Sequence, residues 1–443
     1  MKKTLIRGGT LVTGKEMQRS NILVSVTGEI EEVRPGIPVP KNGEVIAVEG
    51  LLLFPLLTDC HVHFREPGLE HKATMATEAR AALAGGIGTV CDMPNTLPPT
   101  TTIAALADKV RRAATVEGCV IRFFFGITEA AHLEELRALW TGTAIEMKRL
   151  RQHCCGVKLY LDHSTGDQRI AGDLIEEVFR ACAELKIPLV VHCEDPDVNA
   201  AAAKKTTRTD IAAHSLLRPP ESEERAMKRA LELAKKHAGP LHIAHLSTKQ
   251  GAALVRQAKR DGLPVTCEVT PHHLFLTSDD YATLGTFVKV NPSLGTREHR
   301  DALWEALTDG TIDCIASDHA PHTLEEKKNP EPLKAPSGMP GVETMLPLLL
   351  TAAAGSWPHP VSEPAPAFRR LTYSDIVRLC FVNPNRIFSL RSGEPVKGAP
   401  LRLALIDPAA RWTIAPAALK SKCGWTPYEA WQMTGAVLRV LQR

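Results

Sequence analysis

What most restricts the fold of this chain is a recurrence of short apolar runs along its middle. From Leu51 onward eight runs follow one another: Leu51–Val62, Gly88–Met93, Cys119–Ile127, Gly156–Leu161, Ile187–Cys193, Pro240–His245, Pro264–Val269 and Ile312–Ser317. Between them lie stretches of helical periodicity, such as "KATMATEARAALAGG", "LIEEVFRACAEL", "SEERAMKRALELAKKHAG", "KQGAALVRQAKRDG" and "REHRDALWEAL", often with glycine behind them as a helix stop. A run that is apolar throughout describes a strand covered on both faces. Eight such strands alternating with helices predict a (β/α)8 TIM barrel, an α/β architecture. A doubly wound open sheet is the competitor, but no Gly-rich dinucleotide fingerprint follows the first run. "AGGIG", Ala84 to Gly88, precedes a run and reads as a helix cap.

The two chain ends have a different texture. Residues 1 to 50 alternate short β-like pieces with glycine turns, which predicts a small antiparallel sheet. "LRLALIDPAARWTIAP" and "TGAVLRVLQR" return to that pattern near the C-terminus, so the tail is expected to join the first sheet. The expected organisation is a barrel over residues 53–390, with residues 1–52 and 391–443 forming a small composite β-sandwich domain. The Pro-rich stretch from Trp357 to Pro366 reads as a surface loop.

Charge narrows the partners. The 443 residues carry a formal net charge of +3 and no sustained basic block, so neither a nucleic acid nor a membrane is expected. The "KK" pairs at Lys204, Lys235 and Lys327 read as solvated faces. Eleven cysteines are scattered without any C-x-x-C, which argues against a disulfide framework or a thiolate zinc site and for reduced thiols in the cytoplasm. The N-terminus has no apolar segment long enough for a signal peptide. No run approaches the roughly 18 apolar residues of a membrane span; Met345 to Ala354 is much too short.

Polar residues recur at the ends of the runs. His61 and His63 follow the first, two apart and so on one side of a strand; Asn95 follows the second. Lys158 lies in the fourth run, His192 ends the fifth, His245 the sixth, and Asp318 the eighth. Singly each has a bland explanation: a hydrogen-bonded core histidine, a snorkelling lysine, an aspartate capping a turn. Together they would meet on the one rim that collects the C-terminal ends of barrel strands. Imidazoles and a carboxylate suit zinc or a similar divalent ion. An ammonium beside two dications would be repelled, so Lys158 fits only if its neutral amine has taken up carbon dioxide. The resulting carbamate would bridge one metal held by His61, His63 and Asp318 and another held by His192 and His245.

These residues resemble those of the amidohydrolase superfamily. More closely, "HVHFREPG", "DMPNT", "VKLYL", "CEVTPHHLFL", "SDHAPHTLEEK" and "GVETMLPLLL" resemble the dihydroorotase family. The variety is that found as a domain of the animal multifunctional pyrimidine-synthesis protein. The likeness runs from about Leu51 to Phe388 and on through "WTPYEAW". It implies two zinc ions, a carboxylated Lys158, and reversible cyclisation of N-carbamoyl-L-aspartate to dihydroorotate by a metal-bridged hydroxide, in pyrimidine biosynthesis. By motif position Arg65 and Asn95 would bind the substrate carboxylate, with Asn291 and His322 completing the pocket. Asp318 would serve as general base and then acid.

The Arg65 fork matches a carboxylate that the rings taken by hydantoinase and allantoinase lack, which ranks those activities lower. Inactive scaffold relatives typically lose metal ligands, and all six are kept here. The family also implies a homodimer or an aspartate carbamoyltransferase partner. Departures from the pattern are Leu56 in place of a glycine, and Ala244 in place of a cysteine ascribed to a third metal, so none is expected there despite Glu268. "DHSTGDQ" differs from the animal loop; Asp162 to Asp167 is still expected to form a lid, with His163 solvated. The chain also stops at "LRVLQR", where relatives usually continue.

Overall fold

The N-terminal residues form β1 (Thr4–Val12), β2 (Met17–Val24), β3 (Ile30–Arg34) and β4 (Glu44–Ala47), and the run from Leu51 then divides into β5 (Leu52–Pro55) and β6 (Leu57–Val62). The computed structural model describes residues 2–163, 168–360 and 370–442; most of the Pro-rich stretch and of the expected lid lie outside these. Only Leu56 separates β5 from β6, yet the two strands enter different sheets.

The barrel continues with β7 (Ile87–Asp92), β8 (Val120–Gly126), β9 (Cys154–Tyr160), β10 (Leu189–His192), β11 (Leu241–Ile243), β12 (Val265–Val269) and β13 (Cys314–Ile315). Strands β6 to β13 pair in sequence order, all parallel, one for each apolar run. Alternation explains why the runs look continuous. Val157, Leu159, Val191, Ile243 and Val269 join the main core beneath the helices, while Cys60, Cys91, Cys155, Val190 and Cys314 fill the barrel interior, with Phe388 and Leu390 in the same cluster. Each fully buried large apolar side chain contributes about 1.5–3 kcal/mol. The same alternation turns His192 and Glu268 inward when Val191 and Val269 face out.

The five helical stretches are helices at Met75–Ala84, Leu174–Leu185, Pro220–His237, Lys249–Arg260 and Arg297–Thr308. Thr74 and Thr248 cap two of them by accepting the backbone N–H groups of Thr77 and Gly251. Two ends differ from the glycine stops expected: Lys186 and Ala238 themselves take the left-handed conformation, at φ 55° and 53°. Of the three lysine pairs, Lys204 and Lys235 are exposed as expected, but Lys327 is completely buried, a correction whose reason is given below.

The chain returns through β14 (Arg402–Thr413) and β15 (Gln432–Gln442), which extend the N-terminal sheet in the order β15-β14-β5-β1-β2-β3. The tail thus joins the first strands through β5. This sheet is mixed rather than purely antiparallel. β4 and β5 both run parallel to β1, one beside Thr4–Arg7 and the other beside Thr10–Leu11, like one strand interrupted where β1 bulges at Gly8 and Gly9. Leu52, Phe54, Ala404 and Ile406 face the barrel core, whereas Leu53, Leu403 and Leu405 pack with Ile6, Ile22 and Leu441 in a second one. No helix among the described residues is long and apolar enough to cross a membrane.

The barrel closes where β6 meets the segment after β13. Val62 bridges His319, the His63 N–H donates to the His319 carbonyl at 2.7 Å, and Asp59 accepts from both the backbone N–H (3.0 Å) and the hydroxyl of Ser317. Asp59 also accepts the His61 N–H at 3.2 Å, so three donors converge on one buried carboxylate. Asp59→Ala is therefore expected to lower the free energy of unfolding by about 3 kcal/mol, measured by urea denaturation, with Asp59→Asn losing less.

Candidate active site

The C-terminal ends of the barrel strands surround one pocket lined by His61, His63, Arg65, Asn95, Tyr160, His192, His245, Asn291, Asp318, Ala320, Ser337 and Gly338. Eight residues singled out from sequence are in that lining. The other two, Lys158 and His322, are buried behind it: the Lys158 amine lies 5.0 Å from the Tyr160 ring centroid, and His322 meets Arg65.

The donor atoms of His61, His63 and Asp318 all lie within 4.8 Å of one another. His63 Nε2 is 3.0 Å and His61 Nε2 3.4 Å from Asp318 Oδ1. Beside them, His192 Nδ1 faces His245 Nε2 at 2.9 Å, and the His61 and His245 ring centroids are 5.3 Å apart. Three rings are aimed by a bond to their other nitrogen. Glu268 holds His61 Nδ1, Asn95 Oδ1 holds His63 Nδ1 at 2.6 Å, and Glu194 holds His192 Nε2 at 2.8 Å. An imidazole tied at one nitrogen presents the other to the centre in fixed orientation.

Electrostatics favour ligand-ready protonation states. Burial drives His63 down to about 4 and pushes His192 and His245 below the usual histidine range, leaving neutral imidazoles. Burial alone would raise Asp318, but His61 and His63 outweigh it and hold the carboxyl well below the usual range. Lys158 is pushed down to about 8 by burial, against the attraction of Glu268 and Asp318, and its Nζ has no hydrogen-bond partner. A buried ammonium with every donor unmatched is costly. The site therefore suits a neutral, reactive amine.

Three site residues leave their strands with left-handed backbones: Arg65 at φ 67°, His245 at φ 34° and Asp318 at φ 46°. Each such conformation costs about 1–3 kcal/mol in a non-glycine residue and persists only where surrounding structure imposes it. For Arg65 the frame is clear. Its Nε donates to the Pro321 carbonyl at 3.0 Å, its Nη2 meets His322 Nε2 at 3.0 Å, and its buried Nη1 is left without a partner. Burial lowers its pKa only to about 10, so it stays charged. His322 is fixed in turn by Lys72 at Nδ1 (3.1 Å) and by the Trp425 indole N–H on its carbonyl (2.7 Å). Asn291 Oδ1 is likewise buried without a partner. Of the expected lid, Asp162 and His163 are described: Asp162 accepts from Asn199 Nδ2 at 2.7 Å, and His163 is exposed.

Sequence reasoning passed over three residues. Glu268 was weighed only for a third metal, yet its buried carboxylate takes His61, His242, the Cys60 thiol and the His245 N–H. An acid inside the apolar run "TCEV" was the available signal. Glu194 stands two residues after His192. Tyr160 stands two after Lys158, on the same strand face, and its hydroxyl is buried without a partner.

Residues 52–427 match the Amidohydrolase family, and the chain belongs to that family, whose members are typically metal-dependent. Within it the chain is similar to proteins named dihydroorotase. That of Halobacterium salinarum is 40% identical over 381 residues, 85% of this chain and 82% of that one. The dihydroorotase of Anaeromyxobacter dehalogenans is 37% identical, covering 92% and 89%. Among solved structures, the L-hydantoinase of Arthrobacter aurescens matches with a TM-score of 0.89 at 26% identity, over 100% of this chain and 95% of that one. Since Glu268 aims an imidazole of this candidate metal cluster, Glu268→Gln is expected to weaken divalent-ion binding about 10–100-fold, measured by chelator competition with zinc as the probe.

Proposed function

We propose that this chain is a dihydroorotase, closing N-carbamoyl-L-aspartate to dihydroorotate and opening it again, in pyrimidine biosynthesis. The observation that carries this reading is the unpartnered, buried Nη1 of Arg65 in the wall of a pocket whose floor is a metal-donor cluster. A ring bearing a carboxylate satisfies that donor; a hydantoin leaves it bare.

The donor set fits two divalent ions, most simply zinc: His61, His63 and Asp318 for one, His192 and His245 for the other. The orphaned Lys158 amine fits a carbamate shared between them, because its lowered pKa enlarges the share of the neutral form that carbon dioxide requires. When bound, such ions supply Lewis acidity and make water nucleophilic at neutral pH. Asp318, held ionised, accepts a proton from the attacking water and returns it to the ring nitrogen that leaves. Arg65 clamps the carboxylate, and the Pro321 carbonyl, bound to Nε, keeps the guanidinium turned toward the pocket. Asn95 steadies His63, and the free Asn291 Oδ1 can take a ring N–H.

The reading includes a division into a catalytic barrel over residues 53–390 and a β unit from residues 1–52 and 391–443, with β5 carrying the sheet on to Pro55. It also includes a cytoplasmic location, supported by eleven free cysteines. A homodimer or an aspartate carbamoyltransferase complex is the assembly it implies.

Rates on dihydroorotate, allantoin and a hydantoin, measured with zinc restored to stripped protein, test the assignment. Dihydroorotate should be turned over fastest; preference for either other ring would overturn it. Lys158→Ala is expected to abolish turnover, with partial recovery when small carboxylic acids are added.

A further inference from the structure

Lys327 is the first of a lysine pair and is completely buried, and among the described residues it forms no ion pair with a carboxylate. Its Nζ instead donates to the carbonyls of Pro336 (2.9 Å), Gly338 (2.9 Å) and Lys289 (3.4 Å), and sits 5.6 Å from the Trp425 ring centroid. Three acceptors require three N–H groups, so the geometry calls for the ammonium form. Lys289 grips the same loop from the other side, donating to the Leu333 and Ala335 carbonyls at 2.6 Å each. Two cations thus clamp four carbonyls between residues 333 and 338.

That loop is one wall of the pocket. Its Gly338 N–H bonds back to the Lys289 carbonyl at 2.9 Å, joining it to the segment that carries Asn291. The Ser337 carbonyl meets His322 Nε2 at 3.1 Å. A Cβ on Gly338 would sit 2.8 Å from the Ala320 carbonyl and 3.1 Å from His322 Nε2, so the wall stands as close to the Arg65 partner as a backbone can.

We infer that Lys327 is a positioning residue for anionic substrates: it fixes the Lys289–Asn291 and Pro336–Gly338 segments against each other and, with Lys289 and Arg65, sets a positive field in that wall. The inference rests on the dihydroorotase reading. Burial already depresses the Lys327 pKa, and Lys289 and Arg65 depress it further, so the cations strain against one another. A carboxylate arriving at Arg65 relieves that repulsion, whereas a neutral ring does not. Glu326 offsets only part of that field, because its carboxylate is shared between Lys72 at 3.0 Å and His322 Nδ1 at 3.5 Å.

The test is Lys327→Met in the metal-loaded full chain, with steady-state kinetics on dihydroorotate and inhibition by orotate and by its uncharged carboxamide. The KM for dihydroorotate and the Ki of orotate should rise together, about tenfold, with kcat within about threefold and the carboxamide Ki nearly unchanged. Lys327→Arg should recover part of the loss. Unchanged KM and orotate Ki would overturn the inference, and so would equal weakening of both inhibitors with a fallen kcat, the mark of a merely structural role. If the methionine variant does not fold, Lys289→Met is measured in the same way and judged by the same outcomes. Wild-type protein without dihydroorotate turnover would instead defeat the functional reading, which keeps the two failures apart.

Discussion

The site exists because a carboxylate ties the two ends of the barrel together. Asp59 and Ser317 are 258 residues apart in sequence, and their hydrogen bonds, with the Val62–His319 bridge, are what bring β6 alongside the last strand. His61 and His63 leave one side of that seam and Asp318 the other. A donor cluster drawn from both ends of a long chain needs no dedicated loop when the closure itself delivers it. Fold stability and site geometry are therefore one quantity here.

Around that seam the interior is arranged so that carboxylate and amide oxygens aim imidazoles. Glu268, Glu194 and Asn95 each occupy one nitrogen of a ring, and burial keeps His63, His192 and His245 neutral. The strained backbones of Arg65, His245 and Asp318 belong to the same arrangement. A relaxed strand end would point these side chains along the barrel axis or away from it. Neighbouring contacts, such as those fixing the Arg65 guanidinium on Pro321 and His322, hold them turned inward instead.

Much of this was legible in the sequence, for identifiable reasons. Strands covered on both faces leave apolar runs, so all eight were visible, and polar residues that interrupt such runs at their ends stand out. His61, His63, His192, His245 and Asp318 were found that way. What the sequence hides is partnership. Asp59 looks like a stray acid until Ser317 is beside it, and Glu268 reveals its work only when four donors from β6 and from β11 and its end surround it. Lys327 was misread because a lysine pair on its own resembles a wet surface; a ring of carbonyls, which no residue alphabet records, is what lets an ammonium stay inside. The parallel course of β4 and β5 beside β1 was likewise hidden, because local alternation marks a strand without giving its direction.

A single residue, Leu56, lies between the last strand of the terminal sheet and the first strand of the barrel, and side chains from both sheets share one core. In such a body a strain applied at either terminus reaches β5 and, through Leu56, the strand that leads to the first two imidazoles.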